Sequence, residues 1–261
     1  MHATMHAWLF ASVIAPEHAF EYDQSMSVIA VAATKGGVGK TTLAYELAAA
    51  LGGVLVDLEW DGGSASAMWG HDAGAFRRSP ILDALEAGPG GAPPRVRRKP
   101  HQPALVPGHP DLGASNIPDD LVSDCLAAWA KEWAVPVVVD THPGANPLTD
   151  GAMAAADLVV VPVVLAAREM DGLERLLNDW VAYRLLLVPN KVPPSPPRRW
   201  VEALAHLAGS TPVATPISEH RWLTRRVRRA AVTLQPHPGQ AVARAADEFR
   251  AVAATVEQAS A

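Results

Sequence analysis

Cysteine is almost absent: Cys125 is the only one in 261 residues. This excludes a disulfide framework within the chain and a cysteine-rich zinc or iron–sulfur site. A reducing compartment is the natural setting. Also missing is any run of roughly 18–20 apolar residues, the length a helix needs to cross a bilayer, and no membrane association is expected. The apolar piece Ala7–Ala15 has no Lys or Arg before it, whereas a secretory leader normally starts basic. Residues 1–25 are expected to be a dispensable extension, with Met26 as an alternative start and the functional domain over 26–261. His2 and His6 in that extension form only a weak metal pair. Charge of either sign is also scarce in sum: 22 Lys and Arg against 27 Asp and Glu give a net −5. The molecule is therefore no polycation, and any nucleic-acid surface must be a local patch. What is present is 49% hydrophobic and 19% charged residues, enough for a sizeable core and too apolar for a wholly disordered chain.

Strand-like and helix-like stretches alternate. Val28–Ala33 is apolar and runs into a glycine-rich turn, and Thr42–Leu51 reads as an Ala/Leu-rich helix. Val54–Asp57 is a short buried strand ending in an acid; residues 64–88 read as loop and helix. Eight prolines between Pro89 and Pro118 exclude a continuous helix there, although Ala104–Pro107 fits one short strand. Pro118–Trp133 reads as a helix with Asp119 and Asp120 near its positive end. Val135–Asp140, Asp157–Val164 and Leu185–Asn190 are continuous apolar runs. Such runs suit strands covered by helices on both faces. With the helix expected over Arg168–Tyr183, the pattern predicts an α/β fold: one doubly wound, mainly parallel sheet flanked by helices. Ligands in such sheets bind at the carboxyl ends of the strands. Five prolines in Pro189–Pro197 mark a stiff surface loop.

The sharpest local signal is Thr34-Lys35-Gly36-Gly37-Val38-Gly39-Lys40-Thr41-Thr42, between an expected strand and an expected helix. Glycines let a backbone approach phosphates with its N–H groups turned inward, and the helix start adds partial positive charge. In the G-x-x-x-x-G-K-[ST] pattern Lys40 reaches the β- and γ-phosphates and Thr41 binds Mg²⁺; Thr34 stands where that pattern begins with glycine.

This segment resembles the deviant Walker A motif of the ParA/MinD ATPases, whose loop need not start with glycine and carries a second lysine, here Lys35. The resemblance implies the P-loop fold, ATP and Mg²⁺ as cofactors, and an ATP-dependent sandwich homodimer. It also implies that Lys35 reaches across to the partner's nucleotide, as an arginine finger does. Gly36, Gly37, Val38, Gly39, Lys40, Thr41 and Thr42 would then hold the triphosphate. Val54-Leu55-Val56-Asp57-Leu58-Glu59-Trp60-Asp61 is similar to the family's second acidic motif. Asp57 matches its first acid, an expected metal-side carboxylate, and Glu59 stands where the family has an Asp that positions the attacking water. Glu59 adds one methylene, and a displacement of about 1 Å can cost on the order of 100-fold in rate. ATP binding is thus expected with slow unstimulated hydrolysis, unless Asp61 compensates. Val137–Gly144 resembles the Walker B and switch segment: Asp140 would hold Mg²⁺ through its water shell, and Thr141 and Gly144 would sense the γ-phosphate. A base at His142 is the less favoured reading there, because phosphoryl transfer needs positioning more than proton abstraction. Pro189-Asn190-Lys191 resembles the segment that meets the adenine ring, with Asn190 the contact.

Arg221, Arg225, Arg226, Arg228 and Arg229 fall within nine positions. On an α-helix Arg221, Arg225 and Arg228 would share one face, fit to neutralise phosphates whatever the base sequence. Arg95, Arg97, Arg98 and Lys99 form a second cluster, read as a solvated loop. Among relatives, an iron protein needs cluster cysteines, and membrane-bound members need a basic amphipathic tail that residues 239–261 lack. The resemblance therefore points to a cytoplasmic, nucleoid-associated DNA-partition ATPase with non-specific DNA and a ParB-like centromere-binding protein as partners. The alternative is a MinD-like or orphan nucleotide-gated adaptor that positions protein cargo.

Overall fold

The structure is a computed structural model describing residues 27–61, 64–72, 79–225 and 230–260. The 1–25 extension lies outside the described residues. Six strands form one parallel sheet: β1 Val28–Val31, β2 Val54–Asp57, β3 Ala104–Val106, β4 Val137–Asp140, β5 Leu158–Val163 and β6 Leu185–Pro189. Their order is β3-β2-β4-β1-β5-β6, with every pair parallel.

The apolar runs are strands because both of their faces are covered, and the period of two divides each run between two cores. Val54 and Val56 join one cluster with Val137 and Val139, packed against Leu85, Leu126 and Trp129. Leu55 and Val138 face the other way, toward Leu43, Leu47 and Phe249. Farther along the sheet, Val159, Val161, Leu185 and Leu187 pack against Met170, Leu173 and Leu204. β4 is shorter than the apolar run suggests. Pro136 cannot donate a ladder bond, and pairing starts at Val137 while the Pro136 carbonyl accepts from Val54 N at 2.8 Å.

The helices are α1 Lys40–Ala50, α2 Ala65–Trp69, α3 Pro80–Ala87, α4 Asp119–Trp133, α5 Pro147–Ala155, α6 Ala167–Asp179, α7 Arg198–Ala208 and α8 Gln240–Ser260. In α1, residues Leu43 to Ala49 are all buried. It is apolar nearly all round, as befits a helix wedged between the sheet and α8. α1 starts two residues before the expected position, directly after Gly39. Pro118 is the N-cap of α4 rather than a first-turn residue, with Asp119 and Asp120 in the first turn. Pro147 opens α5 under an Asn146 cap whose side chain accepts from Thr149 N at 3.0 Å.

The expected α-helix over Arg221–Arg229 is corrected where it is described: Arg221–Arg225 form a 3-10 helix. Three residues per turn do not put Arg221 and Arg225 on one face. Charge spacing carries no packing force of its own. The chain here instead follows Trp222 and Leu223, which pack against the core beside α1 and α8. Arg226, Arg228 and Arg229 lie outside the described residues. No described helix is long and apolar enough to cross a membrane.

Candidate phosphate-binding site

β1, central in the sheet, delivers the Ala33–Gly39 loop to the carboxyl edge, and the loop runs straight into α1. Gly37 and Gly39 have φ of +80° and +98°, a region that side chains disfavour. At Gly39 space is the second constraint: a Cβ would sit 2.4 Å from Asn190 Nδ2. That contact belongs to a brace from the end of β6. Asn190 Nδ2 donates to Val38 O at 2.8 Å, and Lys191 Nζ donates to Gly37 O at 2.6 Å. Asn190 Oδ1 accepts from Lys191 N at 2.9 Å. Two carbonyls of the loop are thus tied back. The first amides of α1 have no intrahelical acceptors and face the strand ends. Gly36 and Gly37 have open space where a side chain would stand.

Lys40, the first residue of α1, is only 6% exposed. Burial lowers its pKa, and the charges of Asp140 and Glu59 pull it back up. Asp57 and Asp140 end adjacent strands on the same rung, and both are completely buried. Burial raises the Asp57 pKa, opposed by hydrogen bonds from Ser66, Ser64 and Glu59. Its Oδ2 accepts from Ser66 N at 2.7 Å and from the Ser66 hydroxyl, and its Oδ1 accepts from Glu59 N at 3.1 Å. The Ser66 hydroxyl in turn accepts from Gly108 N at 2.9 Å. Asp140 has no such cradle: neither carboxylate oxygen has a hydrogen bond of ordinary geometry. Burial holds its pKa well above the usual carboxylate range and the Asp57 charge adds to this, while the nearby Thr41 hydroxyl and Lys40 ammonium oppose it.

Glu59 follows Asp57 into the same edge. Its Oε1 accepts from Asp61 N at 3.2 Å and lies 3.6 Å from His142 Nε2. The His142 ring stacks flat on Trp60, with centroids 3.8 Å apart and planes 3° from parallel. The next residue back, Thr141, is buried and donates from its hydroxyl to Val31 O at 3.0 Å. Lys35 points away from these groups. Its Nζ donates to Arg168 O at 2.7 Å, against Gly172 of α6. Beside the loop a cavity of about 310 Å³ is lined by Gly39, Thr42, Asn190, Ile217, Leu223 and Phe249. That size and mixed lining suit a planar heterocycle.

The structure therefore brings together Lys40, Thr41, Asp57, Glu59, Asp140 and Asn190, and leaves Lys35 at the rim. Of the basic segment, Arg221 stands at the cavity's edge. Arg221 is 83% exposed and pairs with Glu219 at 3.3 Å. Sequence reasoning gave no role to Lys191, Ser66 or Trp60. Lys191 has a positive φ of 54°, which no local pattern announces. Ser66 is a tertiary partner of Asp57.

Residues 29–231 match the family model described as the CobQ/CobB/MinD/ParA nucleotide binding domain. The chain is 34% identical over 167 residues to the chromosome-partitioning ATPase Soj of Thermus thermophilus, covering 62% of this chain and 64% of that protein. It is 29% identical over 173 residues to the chromosome partitioning protein ParA of Myxococcus xanthus, covering 58% and 56%. The matched region thus spans less than two thirds of these relatives. The solved structure of an ATP complex of a Cyanothece McdA variant superposes with a TM-score of 0.69, covering 90% of this chain and 96% of that one. At 16% identity that likeness is one of fold.

Proposed function

Because the chain belongs to the CobQ/CobB/MinD/ParA nucleotide-binding family, we propose that it is a ParA-like DNA-partition ATPase. The observation that carries this reading is Asp140: fully buried, with neither oxygen in a hydrogen bond of ordinary geometry, beside the Thr41 hydroxyl and the Lys40 ammonium. Such a group fits a nucleotide-bound Mg²⁺, a hard ion that takes oxygen ligands. Thr41 and Asp140 hold the metal side. Asp57, its oxygens already taken by Ser66 and Glu59, shapes the loop after β2 rather than reaching the ion. Backbone amides from Gly36 to Thr42 and the Lys40 ammonium hold the phosphates. Asn190 braces the loop from behind and lines the cavity that takes the base. Bound Mg²⁺–ATP supplies the phosphoanhydride whose hydrolysis separates two states of the protein.

Glu59 orients the attacking water. Its extra methylene and its bond to Asp61 N leave it imperfectly placed, so unstimulated turnover is slow until a ParB-like partner realigns the loop. Lys35 is the arm for a second subunit. The exposed bond to Arg168 O that holds it back is worth about 1 kcal/mol, little against a new contact with a triphosphate.

DNA binds without base preference at the arginine-rich segment of Arg221, Arg225, Arg226, Arg228 and Arg229. The fold supports this with a second basic cluster. His101 O accepts from Ala231 N at 2.8 Å, and His101 Nδ1 meets Leu234 O at 3.1 Å. The chain just after the Arg95–Lys99 loop is thereby tied to Ala231 and Leu234, which follow the arginine segment in sequence. Nine of the 22 Lys and Arg fall in these two stretches, and a row of such cations displaces counterions.

Two measurements test the reading. Lys40→Ala should lower ATP affinity by roughly 30-fold or more in calorimetry, the size expected when one partner of a buried charged contact is removed. Unchanged heat would overturn the nucleotide site. Arg98→Glu with Lys99→Glu should reduce the salt slope of DNA binding by about two units. An unaltered slope would remove the loop from the DNA face.

A further inference from the structure

Beyond the phosphate site, the structure assigns a second, nitrogen-containing metal site to Glu59, Asp61 and His142, one that takes a borderline divalent ion such as Zn²⁺. One ligand atom from each residue lies within 4.8 Å of the others. His142 Nε2 is 3.2 Å from Asp61 Oδ2 and 3.6 Å from Glu59 Oε1. Ligands held at roughly 2.0–2.2 Å around one tetrahedral zinc stand about 3.4 Å apart, so two sides of the triangle already have the right length. Asp61, with its side chain 74% exposed, is free to close the third.

The ring itself supplies the independent argument. His142 Nδ1 lies 2.9 Å from the Pro143 carbonyl, and Nε2 faces two carboxylates. Every one of these neighbours accepts hydrogen bonds. A neutral imidazole carries one N–H. If Nδ1 donates it to Pro143 O, the bare Nε2 lone pair confronts two anions. A divalent ion placed there would meet one imidazole nitrogen and two carboxylates at once. A ring fixed through Nδ1 by a backbone carbonyl, with Nε2 turned to carboxylates, is the arrangement that orients a ligating histidine. The Trp60 stack adds a rigid floor that sets the ring plane.

This ion is distinct from the nucleotide's Mg²⁺. The Thr41–Asp140 group is all oxygen, as Mg²⁺ prefers, whereas an imidazole ligand selects zinc and its neighbours in the transition series. Its effect is mechanical. Glu59 and Asp61 belong to the loop after β2, and His142 to the loop after β4. One ion bonded to all three locks the two loops that flank Lys40 and Asp140, and it draws Glu59 to a fixed place.

The test is a titration of the full chain carrying His2→Ala and His6→Ala with Co²⁺, in excess Mg²⁺, followed by visible absorption and Zn²⁺ competition. One equivalent of Co²⁺ should give tetrahedral-type bands that Zn²⁺ abolishes. His142→Ala and Asp61→Asn should each weaken binding at least about tenfold. ATP binding, measured in the same samples, reports that each variant is folded. Absence of bands in the parent overturns the site, as does a Co²⁺ affinity indifferent to both substitutions. Failure of the parent to bind ATP while it binds Co²⁺ would sink the nucleotide reading alone.

Discussion

The ends of β2 and β4 make an instructive pair. Both strands finish in an aspartate, at one rung of the sheet and at zero exposure. At the end of β2 the chain turns back through Ser64 and Ser66 and spends its donors on Asp57. At the end of β4 it leaves Asp140 bare. Burial raises the pKa of both, but only Asp57 sits in a cradle of ordinary hydrogen bonds. Identical chemistry at equivalent positions thus serves two ends. The wired carboxylate holds a loop, and the unwired one keeps its oxygens free of ordinary hydrogen bonds.

The difference can be broken from either side. The largest expected effect is at β4: Asp140→Ala should cut ATP turnover by about 10²–10³, the usual loss when a group that stabilises the reacting charge is removed. It should change the melting temperature of the nucleotide-free protein little, because it removes a buried carboxylate that accepts no hydrogen bond of ordinary geometry. At β2 the pattern should invert. Asp57→Ala leaves Ser66 N, the Ser66 hydroxyl and Glu59 N without their acceptor, and urea unfolding should show a loss on the order of 3 kcal/mol. A stable Asp57 variant, or a strongly destabilised Asp140 variant, would erase the distinction.

Glu248 sharpens the comparison with a wired carboxylate nearer the solvent. It accepts from Ser218 N at 2.9 Å, the Ser218 hydroxyl and His220 at 2.7 Å each, and Arg244 at 3.2 Å. Burial pushes its pKa up, but the His220 and Ser218 bonds outweigh this and the net shift is downward. A carboxylate with a depressed folded pKa adds stability above its unfolded value, here 4.5. That contribution is lost as pH falls through the lower folded value. Glu248→Gln should therefore cost about 1 kcal/mol at pH 7, after allowing for solvent screening. The gap to the parent should close in melting curves taken below the carboxylate range. A gap that widens on acidification would contradict this sign.

Much of the fold was legible because it rests on local patterns. β2 was readable to the residue, since a short apolar run bounded by glycine and an acid has few other uses. The glycine spacing before Lys40 disclosed the phosphate loop for the same reason. Over Arg221–Arg225 the expected α-helix is instead a 3-10 helix, for the opposite reason. Regular spacing of charges resembles a helix face, but solvated charges do not drive helix formation, and Trp222 and Leu223 set a tighter coil. Lys191 went unassigned because its target, Gly37, lies 154 positions away.

From its own residues the chain determined a parallel sheet, since runs such as Leu158–Val163 can be buried only between two helical layers. It also determined a phosphate-type loop at the central strand, because glycines at Gly37 and Gly39 permit backbone angles denied to other residues. Tertiary structure alone decided which carboxylate is left open, which lysine braces the loop, and that His101 meets Ala231 and Leu234. Those outcomes depend on hydrogen bonds between residues far apart in the chain. Such bonds are strong where water is excluded, and nothing in the local sequence announces who the partner will be.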